Sequence, residues 1–114
     1  MEKEDLFALS PLDGRYVAAT QSLREYFSEF AFMKYRVKIE LLYMMFLSSW
    51  KIIRPLRVKE KILLKACIEK FSIDDAVRIK KFESETKHDV KALEYFVKEK
   101  LIDTSLADLL PFVH

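Results

Sequence analysis

One glycine in 114 residues is the most restrictive feature of this sequence. Globular proteins average about 7% glycine. A lone Gly14 cannot build a glycine-rich phosphate loop, a Rossmann turn or a P-loop, nor the tight turns of a multi-hairpin sheet. Any nucleotide recognition would therefore have to use side chains. Cysteine is equally scarce. With Cys67 alone there is no intrachain disulfide framework, which points to a reducing compartment. Cys67 falls on the apolar face of a helical pattern and reads as inert core. The candidate metal ligands His88, His114 and Cys67 lack the short paired spacings of zinc sites, so neither metal nor cofactor is expected. No serine has the glycine-flanked context of a hydrolase nucleophile. The longest uncharged run in mid-chain, Leu41–Trp50, is half of the roughly 20 residues a membrane-spanning helix needs. The start, Met1-Glu2-Lys3-Glu4-Asp5, is acidic where a secretory signal is basic and then apolar, so a cytoplasmic chain is expected. An excess of one charge is missing too. Twenty Lys and Arg against eighteen Asp and Glu leave +2, which gives no electrostatic case for nucleic-acid binding.

What is present is 51% hydrophobic and 33% charged residues, the balance of a globular chain long enough for one domain and too short for two. The prolines, Pro11, Pro55 and Pro111, punctuate periodic segments rather than interrupt them. Ser10-Pro11-Leu12-Asp13-Gly14-Arg15-Tyr16 is the one dense turn signal, read as an ordered loop with Gly14 at a special backbone angle. A helical pattern then runs from about Gln21 to Lys51, with a possible break near Ser28. Phe30, Met33, Val37, Leu41, Met44 and Leu47 form one series at three- and four-residue spacing. Phe32, Tyr35, Ile39, Leu42, Phe46 and Trp50 form another. A helix apolar on so many sides is buried in a core or in an interface with another chain or domain.

After Pro55 an amphipathic helix is expected from Leu56 to about Phe71, with Ile62, Leu63, Ala66 and Cys67 inward and Lys59, Lys61, Lys65 and Glu69 outward. Ser72 with Asp74 and Asp75 marks the start of the next helix, which should run toward Glu85. Asp89 is placed to cap another, with Val90, Leu93, Val97 and Leu101 on one face and a Glu94–Lys98 pair on the other. A short linker and a last helical stretch precede Pro111. The expected fold is all-α: four to five helices in a compact domain, preceded by an ordered N-terminal loop. The last residues, Leu110-Pro111-Phe112-Val113-His114, are apolar where a natural terminus is usually polar, so the chain reads as a piece of a longer protein.

Two clusters could carry chemistry. In Asp13-Gly14-Arg15-Tyr16, Arg15 offers a planar fork of donors for phosphate or carboxylate, and Tyr16 a hydroxyl and a ring beside it. The same residues are also compatible with a plain Asp-Gly turn and a solvated Arg15. Glu85-Thr86-Lys87-His88-Asp89 lies between two expected helices. A helix N-terminus there, with Lys87 and His88 as donors, would suit an anionic ligand. The alternative is a simple Asp89 cap with His88 at the surface.

Three segments in order resemble the bacterial adenylosuccinate lyases of the fumarase superfamily. They are Leu9-Ser10-Pro11-Leu12-Asp13-Gly14-Arg15-Tyr16, the stretch from Ser28-Glu29-Phe30 through Lys34-Tyr35-Arg36-Val37 to Glu40, and Thr86-Lys87-His88-Asp89-Val90-Lys91-Ala92-Leu93-Glu94-Tyr95-Phe96. The likeness is weakest from Ser49 to Ser72. The resemblance implies a β-elimination that removes fumarate from adenylosuccinate, giving AMP, and from a succinylated carboxamide intermediate of purine synthesis. It implies that Arg15 and Tyr16 contact the nucleotide phosphate, that Lys87, His88 and Asp89 line the same pocket, and that His114 also binds substrate. Lys87 stands where an Asn or Arg is usual. The family's acid, a histidine of its second domain, and its base, a serine on a Gly/Ser-rich loop, have no counterpart in this chain. The resemblance thus implies an N-terminal substrate-binding domain, inactive alone, of a cytoplasmic homotetramer that binds neither nucleic acid nor membrane. Two other readings remain open from the residues: a free-standing helical interaction module that docks a partner on the Leu41–Trp50 face, and another lyase of the superfamily.

Overall fold

The computed structural model describes residues 3–113, which fall into two units, one ending at Phe32 and one beginning at Met33. Among the described residues the fold is all-α, with no strand.

The first unit is a succession of short helical turns. A 3-10 helix over Lys3–Phe7 is followed by hydrogen-bonded turns, α1 (Val17–Thr20), a 3-10 turn over Gln21–Leu23 and α2 (Arg24–Phe27). Gly14 does not have the special backbone angle its type suggested, for no glycine has positive φ. Its requirement is space. A Cβ at Gly14 would lie 2.7 Å from the Asp5 carbonyl oxygen and 3.3 Å from the Ala8 side chain. Around it, the Asp13 N–H donates to the Ser10 carbonyl at 3.0 Å and the Tyr16 N–H to the Pro11 carbonyl at 2.8 Å. The Thr20 hydroxyl donates back to the Leu12 carbonyl at 2.9 Å.

The break expected near Ser28 is present. Ser28 has extended backbone after α2, and its hydroxyl accepts the Ala31 N–H at 3.1 Å, an N-cap for α3 (Glu29–Ser49). In the second unit, Met33, Val37, Leu41, Met44 and Leu47 of α3 are all buried. The second apolar series of the same helix remains exposed, with Ile39 at 64% and Trp50 at 69%.

α4 (Val58–Glu69) is rotated from the expected orientation. Leu64 is fully buried and Glu60 is 2% exposed, whereas Ile62, expected inward, is 61% exposed. Positions 60 and 64 share a helix face, and position 62 is half a turn away from both. Glu60 can face inward because it is fully partnered. It chelates the Arg54 guanidinium at 2.9 and 2.8 Å, and accepts the Arg57 N–H at 2.8 Å and the Ser105 hydroxyl at 2.9 Å. Arg54 also grips Asp108 at 2.7 and 2.9 Å. Cys67, read as core, is only half-buried and borders a cavity of about 210 Å³ with Ala66, Lys70, Asp75, Phe96 and Lys100.

α5 (Ile73–Thr86) starts at the expected cap. The Ser72 hydroxyl accepts the Asp75 N–H at 3.3 Å, and the Asp75 carboxylate accepts the Ser72 N–H at 2.9 Å. α5 packs extensively on α6 (Asp89–Leu101). Leu93, Val97 and Leu101 of α6 are buried, Val90 is half-buried, and Lys98 reaches Glu94 at 2.9 Å on the other side. A 3-10 helix, Ala107–Phe112, ends the described chain with Leu109 buried.

Candidate functional site

Arg15 and Tyr16 are exposed in the first unit, directly before α1. The Arg15 guanidinium carbon sits 5.2 Å from the centre of the Tyr16 ring, so fork, ring and hydroxyl form one surface. They border an open depression of about 530 Å³ whose other walls include Ser10, Pro11 and Gly14. The turn that presents them depends on Gly14, because a side chain there would collide with Asp5 and spread the loop.

Lys87, His88 and Asp89 come together in the second unit at the junction of α5 and α6. Lys87 closes α5 with left-handed backbone, φ 55° and ψ 32°, and its N–H donates to the Glu83 carbonyl at 2.7 Å. A non-glycine residue in this region is uncommon and marks a sharp change of direction. The cap of α6 is His88, not Asp89 as expected. The His88 Nδ1 accepts the Lys91 N–H at 3.2 Å, and Asp89 is the first helical residue. The Thr86 hydroxyl clamps the turn, accepting the His88 N–H at 3.3 Å and donating to the His88 carbonyl at 3.1 Å.

This cap fixes the histidine's chemistry. A neutral imidazole that accepts at Nδ1 carries its proton at Nε2. The ring is 62% exposed, so Nε2–H is a donor aimed at solvent from an oriented ring. Asp89 is held differently. One carboxylate oxygen accepts the Val90 N–H at 2.9 Å and the other accepts from Arg36 of α3 at 2.9 Å. The Val90 N–H above all, with Arg36 adding to it, holds the Asp89 carboxyl below the usual carboxylate range and outweighs the opposing effect of desolvation, which is itself larger than the Arg36 hydrogen bond. Since Val90 and Lys91 give their N–H groups to side chains, an anion at this helix end meets chiefly His88 and Lys87 rather than bare backbone donors.

Sequence reading missed three parts of this junction: the His88 cap, the Thr86 clamp and the Arg36 anchor. The Thr-x-His spacing could have suggested the clamp. Nothing local could have paired Arg36 with a residue 53 positions away. The sixth candidate, His114, lies outside the described residues.

The half-buried Cys67 thiol is pushed up by desolvation, which keeps it protonated and unreactive. No described helix is long and apolar enough to cross a membrane.

No protein-family model matches the chain. Among individual proteins, it is 43% identical over 118 aligned positions to the adenylosuccinate lyase of Buchnera aphidicola subsp. Schizaphis graminum, covering 100% of this chain and 26% of that protein. The adenylosuccinate lyase of Escherichia coli K12 is 41% identical over the same span and shares. That of Dictyostelium discoideum is 43% identical over 105 positions, 89% of this chain and 22% of the relative. The chain spans about a quarter of the length of these relatives and aligns with their N-terminal part. With this identity across its whole length, the chain belongs to the adenylosuccinate lyases.

Proposed function

We propose that this chain supplies substrate-binding residues to an adenylosuccinate lyase, a cytoplasmic homotetramer of purine synthesis that releases fumarate from adenylosuccinate and from the succinylated carboxamide intermediate. The observation that carries the reading is the 41–43% identity to adenylosuccinate lyases over 89–100% of the chain. The chemistry of the exposed groups supports it. Both substrates are polyanions, and the exposed candidates are an Arg fork beside a Tyr, and a His that presents an N–H beside a Lys.

In this reading Arg15 binds the nucleotide phosphate through parallel charge-assisted hydrogen bonds, and Tyr16 adds its hydroxyl and its ring face. His88 donates from Nε2 to an anionic group of the substrate. Asp89, tied to Arg36, holds the start of α6 so that His88 keeps its aim. Lys87 adds a cation at the edge, and His114 completes the substrate-binding set.

The elimination itself needs a base to remove a proton beside a carboxylate and an acid to protonate the departing nitrogen. Each such group contributes roughly 10²- to 10⁴-fold. The segments that resemble either group are not among these residues. The 114-residue chain should therefore bind AMP with about millimolar affinity, near 4 kcal/mol, and release no fumarate from adenylosuccinate.

The test is an NMR titration of the ¹⁵N-labelled chain with AMP, beside an absorbance assay for fumarate. Shifts confined to Arg15, Tyr16 and residues 86–91, with no turnover, support the reading. No shift at these residues in tens of millimolar AMP removes them from the site. Turnover that survives repurification places the acid and base within this chain.

A further inference from the structure

Thr86 is the last residue of α5, and Lys87 behind it turns the chain through left-handed backbone. The Thr86 side chain reaches across that turn. Its hydroxyl accepts the His88 N–H at 3.3 Å and donates to the His88 carbonyl at 3.1 Å. The N–H and the carbonyl of one residue are thus tied to a single half-buried side chain. They hold His88 extended, φ −146° and ψ 117°, which is the backbone an N-cap needs. The cap in turn orients the ring, through the 3.2 Å bond from the Lys91 N–H to Nδ1.

A helix start needs no histidine for this. Ser, Thr, Asp and Asn are the favoured caps, and their short side chains end at the backbone N–H they accept. Histidine brings a second nitrogen, which the cap leaves pointing away from the helix. The result is a less favoured cap on a strained turn, since a non-glycine residue in the left-handed region is uncommon. A β-branched Thr at position 86 offsets this. Two heavy atoms on its Cβ restrict χ1, so the hydroxyl is held in place rather than free to swing. Asp89 does not duplicate the clamp. Its carboxylate is bonded to the Val90 N–H and to Arg36, which fixes the start of α6 beyond His88 and not His88 itself.

We propose that Thr86 is a positioning residue for substrate binding: its hydroxyl fixes the His88 backbone, so that the ring caps α6 through Nδ1 and presents Nε2–H to the substrate. Thr86 touches no ligand and acts only through His88. The inference rests on the proposed role of His88 in binding. A clamp that served the fold alone would lower Tm when removed and leave binding per folded molecule unchanged.

The cap can be read directly as a ¹⁵N–¹⁵N coupling across the hydrogen bond between the Lys91 amide and His88 Nδ1. It is measured on the ligand-free, ¹⁵N-labelled chain at about pH 8, on the neutral side of an ordinary imidazole. Thr86→Val and Thr86→Ala both remove the hydroxyl, one keeping the shape of the side chain and the other favouring the helix. Each should abolish the coupling and weaken adenylosuccinate binding about tenfold, the loss of one hydrogen bond to a charged group. Circular dichroism should stay unchanged. Thr86→Ser should restore the coupling and most of the affinity. In the His88→Asn background, Thr86→Val should weaken binding no further, because its effect passes through the ring. A coupling that survives without the hydroxyl overturns the proposal, as does wild-type affinity in Thr86→Val and Thr86→Ala, or a full second loss in the double variant. Wild-type affinity in His88→Asn overturns it through the reading it rests on, a failure recognisable because the ligand-free coupling still disappears without the hydroxyl.

Discussion

Two polar clusters in the second unit use the same residue types to opposite ends. Around Arg54, each charged group is answered by another protein group. Glu60 is 2% exposed and receives Arg54, Arg57 and Ser105, while Asp108 holds the far side of the guanidinium. The Arg54 bonds, which outweigh its burial, hold the Glu60 carboxyl near about 2. Asp108 first, then Glu60, raise Arg54 above its ordinary value. At the 86–89 junction the bonds run inward only. Thr86, Lys91 and Arg36 fix the backbone, the ring and Asp89, and the His88 Nε2–H and Lys87 face water. A network closed on itself serves the fold, whereas one that orients a donor and leaves it exposed can serve a ligand.

The sharpest way to break this comparison is Glu60→Ala. It strands Arg54 and removes the acceptor for Arg57 and Ser105. Losing one partner of a buried pair should cost about 3 kcal/mol, a fall in Tm of roughly 10 °C for a chain of this size. AMP affinity, measured below that Tm, should not change. Calorimetry and titration on one preparation check both parts.

The pH dependence of stability follows from the same group. The folded-state pKa of Glu60 lies below its ordinary 4.5, near about 2. The stability it contributes is therefore complete above pH 4.5 and is lost as the pH falls toward 2, where the folded state also takes up the proton. Urea unfolding from pH 6 to pH 2.5 should show this decline, and Glu60→Gln should flatten it.

Gly14→Ala should act on the first unit only. The added methyl meets the Asp5 carbonyl oxygen at 2.7 Å, an overpacking cost of about 1–3 kcal/mol. Faster amide exchange at Ala8 and Tyr16, with exchange in α5 and α6 unchanged, is the expected result.

Arg15→Lys should leave Tm unchanged and weaken AMP binding by about 1.5–3 kcal/mol, because an ammonium cannot reproduce the fork. The smallest effect on stability belongs to His88→Asn. Asn is among the best N-caps and should hold α6 within about 0.5 kcal/mol, yet it cannot place a donor where Nε2–H stands.

Much of the fold was legible because it is local. The Ser72 cap, the Ser28 break and the buried series Met33, Val37, Leu41, Met44 and Leu47 are all written in spacing and residue type. The exposure of the second α3 series was not legible, since both series have the same period and only tertiary packing chooses between them. Glu60 was missed because a carboxylate reads as solvent-facing unless its partners are known, and Ser105 and Asp108 lie more than forty residues on. Ile62 was misplaced as a consequence. At the candidate site, Arg15, Tyr16 and His88 were legible as chemistry and through the family resemblance. The His88 cap was not, because Asp is the commoner cap and the choice turns on where the backbone becomes helical, extended at His88 and helical from Asp89.

The most direct measurement is adenylosuccinate affinity in His88→Asn and Glu60→Gln, titrated side by side below both melting temperatures. The account predicts that His88→Asn loses affinity at unchanged Tm, and that Glu60→Gln keeps wild-type affinity despite a lowered Tm. Equal losses in the two variants, or unchanged affinity in His88→Asn, would contradict it.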